Sequence, residues 1–207
     1  MPSVTRRTGS GRLRREAVEQ RVFEAVERLL AEGEGFTSLG VQRIADEAQI
    51  ARSTFYVHFP DKSALLMRLT ESATHDMFPR REEWVGGADA GGVETLTHTT
   101  ERMLGQYRGH AATLAALAEV AAYDAEVAEF WRERVDRFAD ILRERLERDR
   151  RAGRLPRDLD CDVTARLIAW GAERIVSEHI ASDGGEGDGR LAVSLARAMW
   201  AAMHAAG

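Results

Sequence analysis

Residues 36 to 66 read FTSLGVQRIADEAQIARSTFYVHFPDKSALL, and the side chains here that carry chemistry share a theme. Arg52 offers a planar fork of N–H donors that matches the O6/N7 edge of guanine. Ser53 stands beside it. Thr54, Tyr56, His58 and Lys62 supply O–H and N–H groups suited to phosphate oxygens. Lys62 follows Asp61, a good N-cap, and so opens a helix whose N–H groups and dipole already favour an anion. This is contact chemistry toward a polyanion, with no bond made or broken.

Short helices must hold these groups in place. Val41, Ile44, Ala45 and Ala48 recur at i, i+3, i+4 and i+7, which predicts a helix over 41–48. A second helix is predicted over 52–57, with Phe55 turned inward. The turn between them centres on Gln49, and Ile50 plugs the small core. Before them, Val18, Val22, Ala25 and Leu29 form one face of a helix over 12–32. After them, Leu65, Leu69, Ala73 and Met77 form one face of a helix from Asp61 to near Pro79. Two short helices joined by a tight turn make a helix-turn-helix, whose second helix fits a major groove.

The charge layout agrees. The chain of 207 residues has a formal net charge of −5. Residues 1–15 nonetheless carry five arginines (Arg6, Arg7, Arg12, Arg14 and Arg15) and no acid. Residues 1–62 hold ten Lys and Arg against nine Asp and Glu, and the remaining residues nineteen against twenty-five. A basic tail on a near-neutral module, joined to an acidic body, suits DNA. The expected organisation is a flexible basic tail over 1–14, a DNA-binding domain over 15–62 and a helical regulatory and dimerisation domain over 63–207. The fold class is all-α: a three-helix helix-turn-helix domain and a C-terminal helical bundle.

Ile44, Ala45, Ala48, Ile50, Thr54, Phe55, Tyr56, His58, Phe59, Asp61, Lys62 and Leu65 fall in order on the pattern I-A-x-x-A-G-[VI]-S-x-x-T-[LF]-Y-x-[YH]-F-x-[SND]-K-x-x-L. In these residues the sequence resembles the TetR family of regulators. The segment at 124–161, with its long amphipathic helix followed by Arg-Ala-Gly-Arg-Leu-Pro and the acidic Asp158-Leu159-Asp160, looks like the family's regulatory domain, and within the family the look is most like the ethionamide-type repressors. Three positions depart from the pattern. Gln49 replaces the turn glycine, Gly40 a capping Thr or Ser, and Ala51 a capping serine. The last two remove hydroxyls that meet phosphate in relatives.

The resemblance implies a second domain that dimerises and holds a small-molecule pocket. Helices are predicted over 93–108, 110–122, 124–151, 160–182 and 189–205. Met103, Tyr107, Trp131, Val135, Phe138, Ala169, Trp170 and Glu173 lie on faces that can converge on such a pocket. Ethionamide-type relatives carry amides near Ala169 and Ala172, so a less polar cavity and a hydrophobic effector are expected. The last two helices are apolar on more than one face, as a subunit seam requires. Ala172, Ile175, Val176, Ala196, Met199, Trp200 and Met203 are the expected interface of a homodimer, with Gly171 and Ala198 allowing close approach. Such a dimer binds a palindromic double-stranded operator.

Other chemistry is thinly supported. Cys161 precedes a helix, where a thiol pKa can fall, but no His or Asn is placed beside it. The six histidines form no H-x-x-x-H pair, and no Walker or G-x-S-x-G motif occurs, so no enzyme, metal or cofactor is expected. No secretory signal or spanning segment is legible, and one cysteine suits a reducing cytoplasm. A ligand-responsive repressor is the reading; a binding protein without specific DNA recognition is the alternative.

Overall fold

A computed structural model of the chain describes residues 6–75 and 92–204. The expected end of the fourth helix near Pro79 lies outside these residues. Among the described residues the structure is helical, without strands. The helices are α1 (Arg6–Ala31), α2 (Val41–Glu47), α3 (Arg52–His58), α4 (Lys62–Ala73), α5 (Gly92–Gly109), α6 (Ala111–Ala121), α7 (Ala125–Arg151), α8 (Cys161–Ser182) and α9 (Asp188–His204). No helix among them is long and apolar enough to cross a membrane.

Two compact units emerge, and the division is not one cut after residue 62. The first holds the chain up to Ser72 together with Ala112–Val127; the second holds Ala73–Ala111 and the chain from Ala128 onward. Helix α6 therefore belongs with the N-terminal helices. Its partners explain why. The Thr37 hydroxyl donates to Glu119 and lies 3.1 Å from the Tyr123 hydroxyl. The Ser63 hydroxyl donates to Asp124 at 2.6 Å, while the other Asp124 oxygen caps α7 by accepting from Glu126 N.

In the first unit, Val22, Ala25, Val26 and Leu29 of α1 are fully buried, with Ile44 and Ala45 of α2, Phe55 of α3, and Leu65 and Leu66 of α4. Phe59 sits at the centre of an aromatic group, its ring 5.5 Å from Phe55 and 6.0 Å from Phe23. Helix α1 starts at Arg6, so most of the basic segment expected to be flexible is helical. Arginine is a good helix former, and the pairs Arg12–Glu16 and Arg15–Glu19 at i, i+4 support the turn they span.

In the second unit, α7 ends where Gly153 takes φ +73, with Arg154 N bonded back to Asp149 O at 2.9 Å. Leu142, Leu146, Leu155, Cys161, Ala165 and Ile168 form one core group, and Met199 and Met203 pack against it. Asp160 caps α8 by accepting from Asp162 N and Val163 N. Arg108 of α5 grips Asp188 at the start of α9 through two N–H donors at 2.6 and 2.8 Å, and holds Asp188 down at about 2. His179 Nε2 lies 2.8 Å from the same carboxylate, and the Asp183 main chain accepts from Arg108. Gly187 fits beneath this cluster because a Cβ there would meet Asp183 Oδ2 at 2.8 Å.

Candidate nucleic-acid interface and effector site

The α2–α3 turn is built from the residues that depart from the family pattern. Gln49 adopts φ 54, the left-handed conformation that costs an L side chain energy. Ile50 N reaches back to Ala45 O at 2.9 Å and closes α2. Gly40 and Ala51 begin α2 and α3 with no side-chain cap. Gln49→Gly is therefore expected to stabilise the first unit by about 1 kcal/mol, read as a higher midpoint in thermal or urea unfolding.

Helix α3 turns Phe55 fully inward and exposes Arg52, Ser53, Tyr56 and Val57, with Thr54 half-buried. The Arg52 guanidinium lies 5.8 Å from the Tyr56 ring centre, and Tyr56 is braced edge-on against Phe55 at 5.4 Å. The stacked ring presents the guanidinium fork while leaving its edge open to a base. Val57 is the exposed residue here that the motif did not single out. It occupies the variable position of that pattern, so only its surface placement reveals it.

Two expected phosphate contacts need correction. His58 faces inward with 8% of its side chain exposed, and its Nδ1 lies 3.4 Å from Glu19 Oε1. A ring packed against a buried carboxylate cannot reach a phosphate. Lys62 is half-buried, and its ammonium donates to the main-chain oxygens of Phe36, Thr37 and Leu39 at 2.8, 3.0 and 2.6 Å. All three of its donors are filled, and burial pushes its pKa down. Lys62 is a clasp for the loop between α1 and α2.

Glu19 joins three helices. It accepts from Arg15 of α1 at 3.1 Å and from Arg68 of α4 at 2.5 Å, and it faces His58 of α3. Burial opposes its charge, but hydrogen bonds from Arg15 and His58 and the charges of Arg68 and Arg15 outweigh that and hold its pKa below the ordinary 4.5. A carboxylate with a lowered native pKa contributes stability that is present above its unfolded pKa. That contribution disappears as pH falls through the native value. The midpoint of the first unit should fall as the solution is acidified below about pH 4.5, and Glu19→Gln should flatten that dependence in circular-dichroism melts.

In the second unit, Val135 and Ala169 form a core with Ala139, and Trp131, Phe138 and Trp170 pack against it. Glu173 joins them, accepting from Trp131 Nε1 at 3.2 Å and from the Ser177 hydroxyl at 2.9 Å. Tyr107 is buried, and burial together with the Glu173 charge pushes its phenol pKa up. Seven of the eight candidate pocket residues thus lie in one connected neighbourhood. Met103 is half-buried on α5, one turn before Tyr107. A cleft of about 600 Å³ lies elsewhere, between Val93, Thr97 and Glu101 of α5 and Val193 and Arg197 of α9, and none of the eight lines it.

Three residues of the expected dimer face turn into the chain's own core. Ala172, Val176 and Ala196 are buried within their own chain, and Met199 and Met203 pack onto its core. Trp200 is half-buried and stacks on His204 at 3.7 Å. Ile175 is exposed, in line with Val163 and Leu167, which are not among the expected interface residues. Cys161 is buried beside Leu159 O, and burial pushes its thiol pKa up, the reverse of activation.

Residues 23–69 match the family model described as "Bacterial regulatory proteins, tetR family". A stretch of 51 residues, a quarter of this chain, is 39% identical to the HTH-type transcriptional regulator YuxN of Bacillus subtilis; the match spans 17% of that relative's length. The fold is shared with the transcriptional regulator FadR of Bacillus subtilis, solved in complex with stearoyl-CoA (TM-score 0.70, 20% identity, 89% of this chain and 99% of that one). It is also shared with FadR of Thermus thermophilus, a TetR-family repressor solved in complex with lauroyl-CoA (TM-score 0.65, 20% identity, 89% and 94%). The tetR family model thus covers the helix-turn-helix segment, and the solved structures share the helical fold over about nine-tenths of the chain.

Proposed function

We propose that the chain is a repressor that binds a palindromic operator as a homodimer and leaves it when a hydrophobic effector binds. The first unit carries DNA recognition and the second carries the effector site and the dimer contact, in a cytoplasmic protein with no enzymatic role. The reading rests above all on the outer face of α3, where Arg52, Ser53 and Tyr56 stand exposed around an inward Phe55. Arg52 reads a guanine edge and Tyr56 and Thr54 reach phosphates. One seven-residue helix reads few bases, so two copies act together on half-sites ~34–36 Å apart or a multiple of that.

For the effector, the two FadR proteins support a long-chain acyl-CoA, in line with the expected hydrophobic molecule. The neighbourhood of Trp131, Val135, Phe138, Ala169 and Trp170 supplies apolar surface for an acyl chain, and Tyr107 and Glu173 supply the polar groups that orient a ligand. The effector acts only by preferring the state that does not fit the operator. Displacement of α4, which leaves the first unit after Ser72, alters the spacing of the two α3 helices.

The test begins with selection of bound duplexes from a random pool by the full chain. Stearoyl-CoA, lauroyl-CoA, coenzyme A alone and free stearate are then titrated against the selected duplex. Release by the acyl-CoA thioesters at concentrations where coenzyme A does nothing is expected. Retention of the duplex by every effector-loaded sample would remove the regulatory reading.

A further inference from the structure

Val57 is 75% exposed, more than any other large apolar side chain recorded as exposed among the described residues. A β-branched residue on the open side of a seven-residue helix gains nothing there. It lowers helix propensity and leaves its methyl groups in water. Its neighbours are the exposed Ser53 one turn earlier and Tyr56 beside it, with the Arg52 guanidinium over the Tyr56 ring. Val57 therefore belongs to the surface that α3 presents to a duplex.

The major-groove edges of the base pairs differ in donors and acceptors and in one apolar group, the 5-methyl of thymine. An isopropyl group has no donor or acceptor, so it cannot answer the polar edges. Pressed against an amino group or a carbonyl, it would strip that group of water and return no hydrogen bond. Against a methyl group it removes apolar area from water on both sides. The chemistry of Val57 thus selects for one base feature and against the others.

We propose that Val57 is a specificity-determining residue whose side chain packs on the 5-methyl group of one thymine in each half-site. The inference rests on the DNA-binding reading above and adds to it the identity of one base. Arg52 and Val57 then divide the recognition between a polar and an apolar contact.

The experiment uses the full chain and a duplex selected from the random pool. Each thymine is replaced singly by deoxyuridine, which removes the methyl group and keeps every hydrogen-bonding atom. The wild-type chain is expected to bind about fourfold more weakly when one particular thymine is replaced, the transfer value of a methyl group. Val57→Ala is expected to bind the parent duplex about fourfold more weakly and to lose nothing further on that deoxyuridine. Alanine is the better helix former at an exposed position, so the melting curve of the variant should match the wild type. Wild-type protein that binds the selected duplex and tolerates every deoxyuridine overturns the proposal, as does a Val57→Ala chain that keeps the full penalty. Failure to select any duplex overturns the DNA-binding reading itself.

Discussion

Lys62→Met should unfold the helix-turn-helix unit at a much lower temperature while leaving the salt dependence of DNA binding by the folded remainder unchanged. The loop from Glu32 to Gly40 lies between α1 and α2, and its turn bonds fill Gly35 O and, from Leu39 N at 3.2 Å, Phe36 O. Lys62 sends three N–H donors into that loop, onto Phe36, Thr37 and Leu39, and its ammonium lies 5.1 Å from the Phe36 ring centre. Hydrogen bonds from a charged donor are each worth about 1.5–3 kcal/mol. Water replaces part of the loss at the exposed Thr37 oxygen, so a net cost of about 2–4 kcal/mol is expected, or roughly 10–20 °C in the midpoint of a unit this small. A phosphate-contacting lysine predicts the opposite pattern: an unchanged midpoint and a salt slope reduced by about one. Lys62→Arg separates the two further. It keeps the charge a phosphate needs, yet a planar guanidinium cannot point three donors at these three oxygens, so the midpoint should not recover. Thermal melts and operator titrations at several salt concentrations read both quantities.

The contrast between Lys62 and Arg52 shows what sequence carries and what it omits. Helix positions were legible because their causes are local. The stripe Val41, Ile44, Ala45 and Ala48 marks α2, and the long amphipathic pattern over 124–151 marks α7, which ends at Arg151. The inward turn of Phe55 and the outward turn of Arg52, Ser53 and Tyr56 follow from the same period. The destination of a long side chain is not local. Lys62 finds oxygens 23 to 26 residues earlier in the chain, and His58 finds Glu19 at a separation of 39. Neither partner can be read from a window around the motif. The placement of α6 with the N-terminal helices was likewise hidden, because it depends on the pairings of Thr37 with Glu119 and of Ser63 with Asp124. In α8 the apolar residues occupy two faces, and periodicity alone cannot say which one the chain's own core will claim.

That last ambiguity sets up the second large effect. The chain's core takes Ala165, Ala169, Ala172 and Val176 of α8, which leaves Val163, Leu167 and Ile175 at 60%, 63% and 44% exposure along the other side. Gly171 lies on that line with nothing within 4 Å of where its Cβ would be, so the stripe is open to a close-fitting helix. Burying each large apolar side chain is worth about 1.5–3 kcal/mol. Two copies brought together by a two-fold axis would cover the stripe with itself, and every residue on it would count twice. Leu167→Glu places a carboxylate in that seam on both subunits. It should weaken dimerisation by about a thousandfold, the product of two losses of roughly 2 kcal/mol. Analytical ultracentrifugation should then find a folded monomer, and operator affinity should collapse because a lone α3 holds one half-site. Val176→Ala is the control, since its side chain is fully buried in its own chain. It should lower the melting point through the cavity it leaves and keep the dimer intact. A Leu167→Glu protein that sediments as the wild type does would move the seam to another face, and with it the spacing of the two recognition helices.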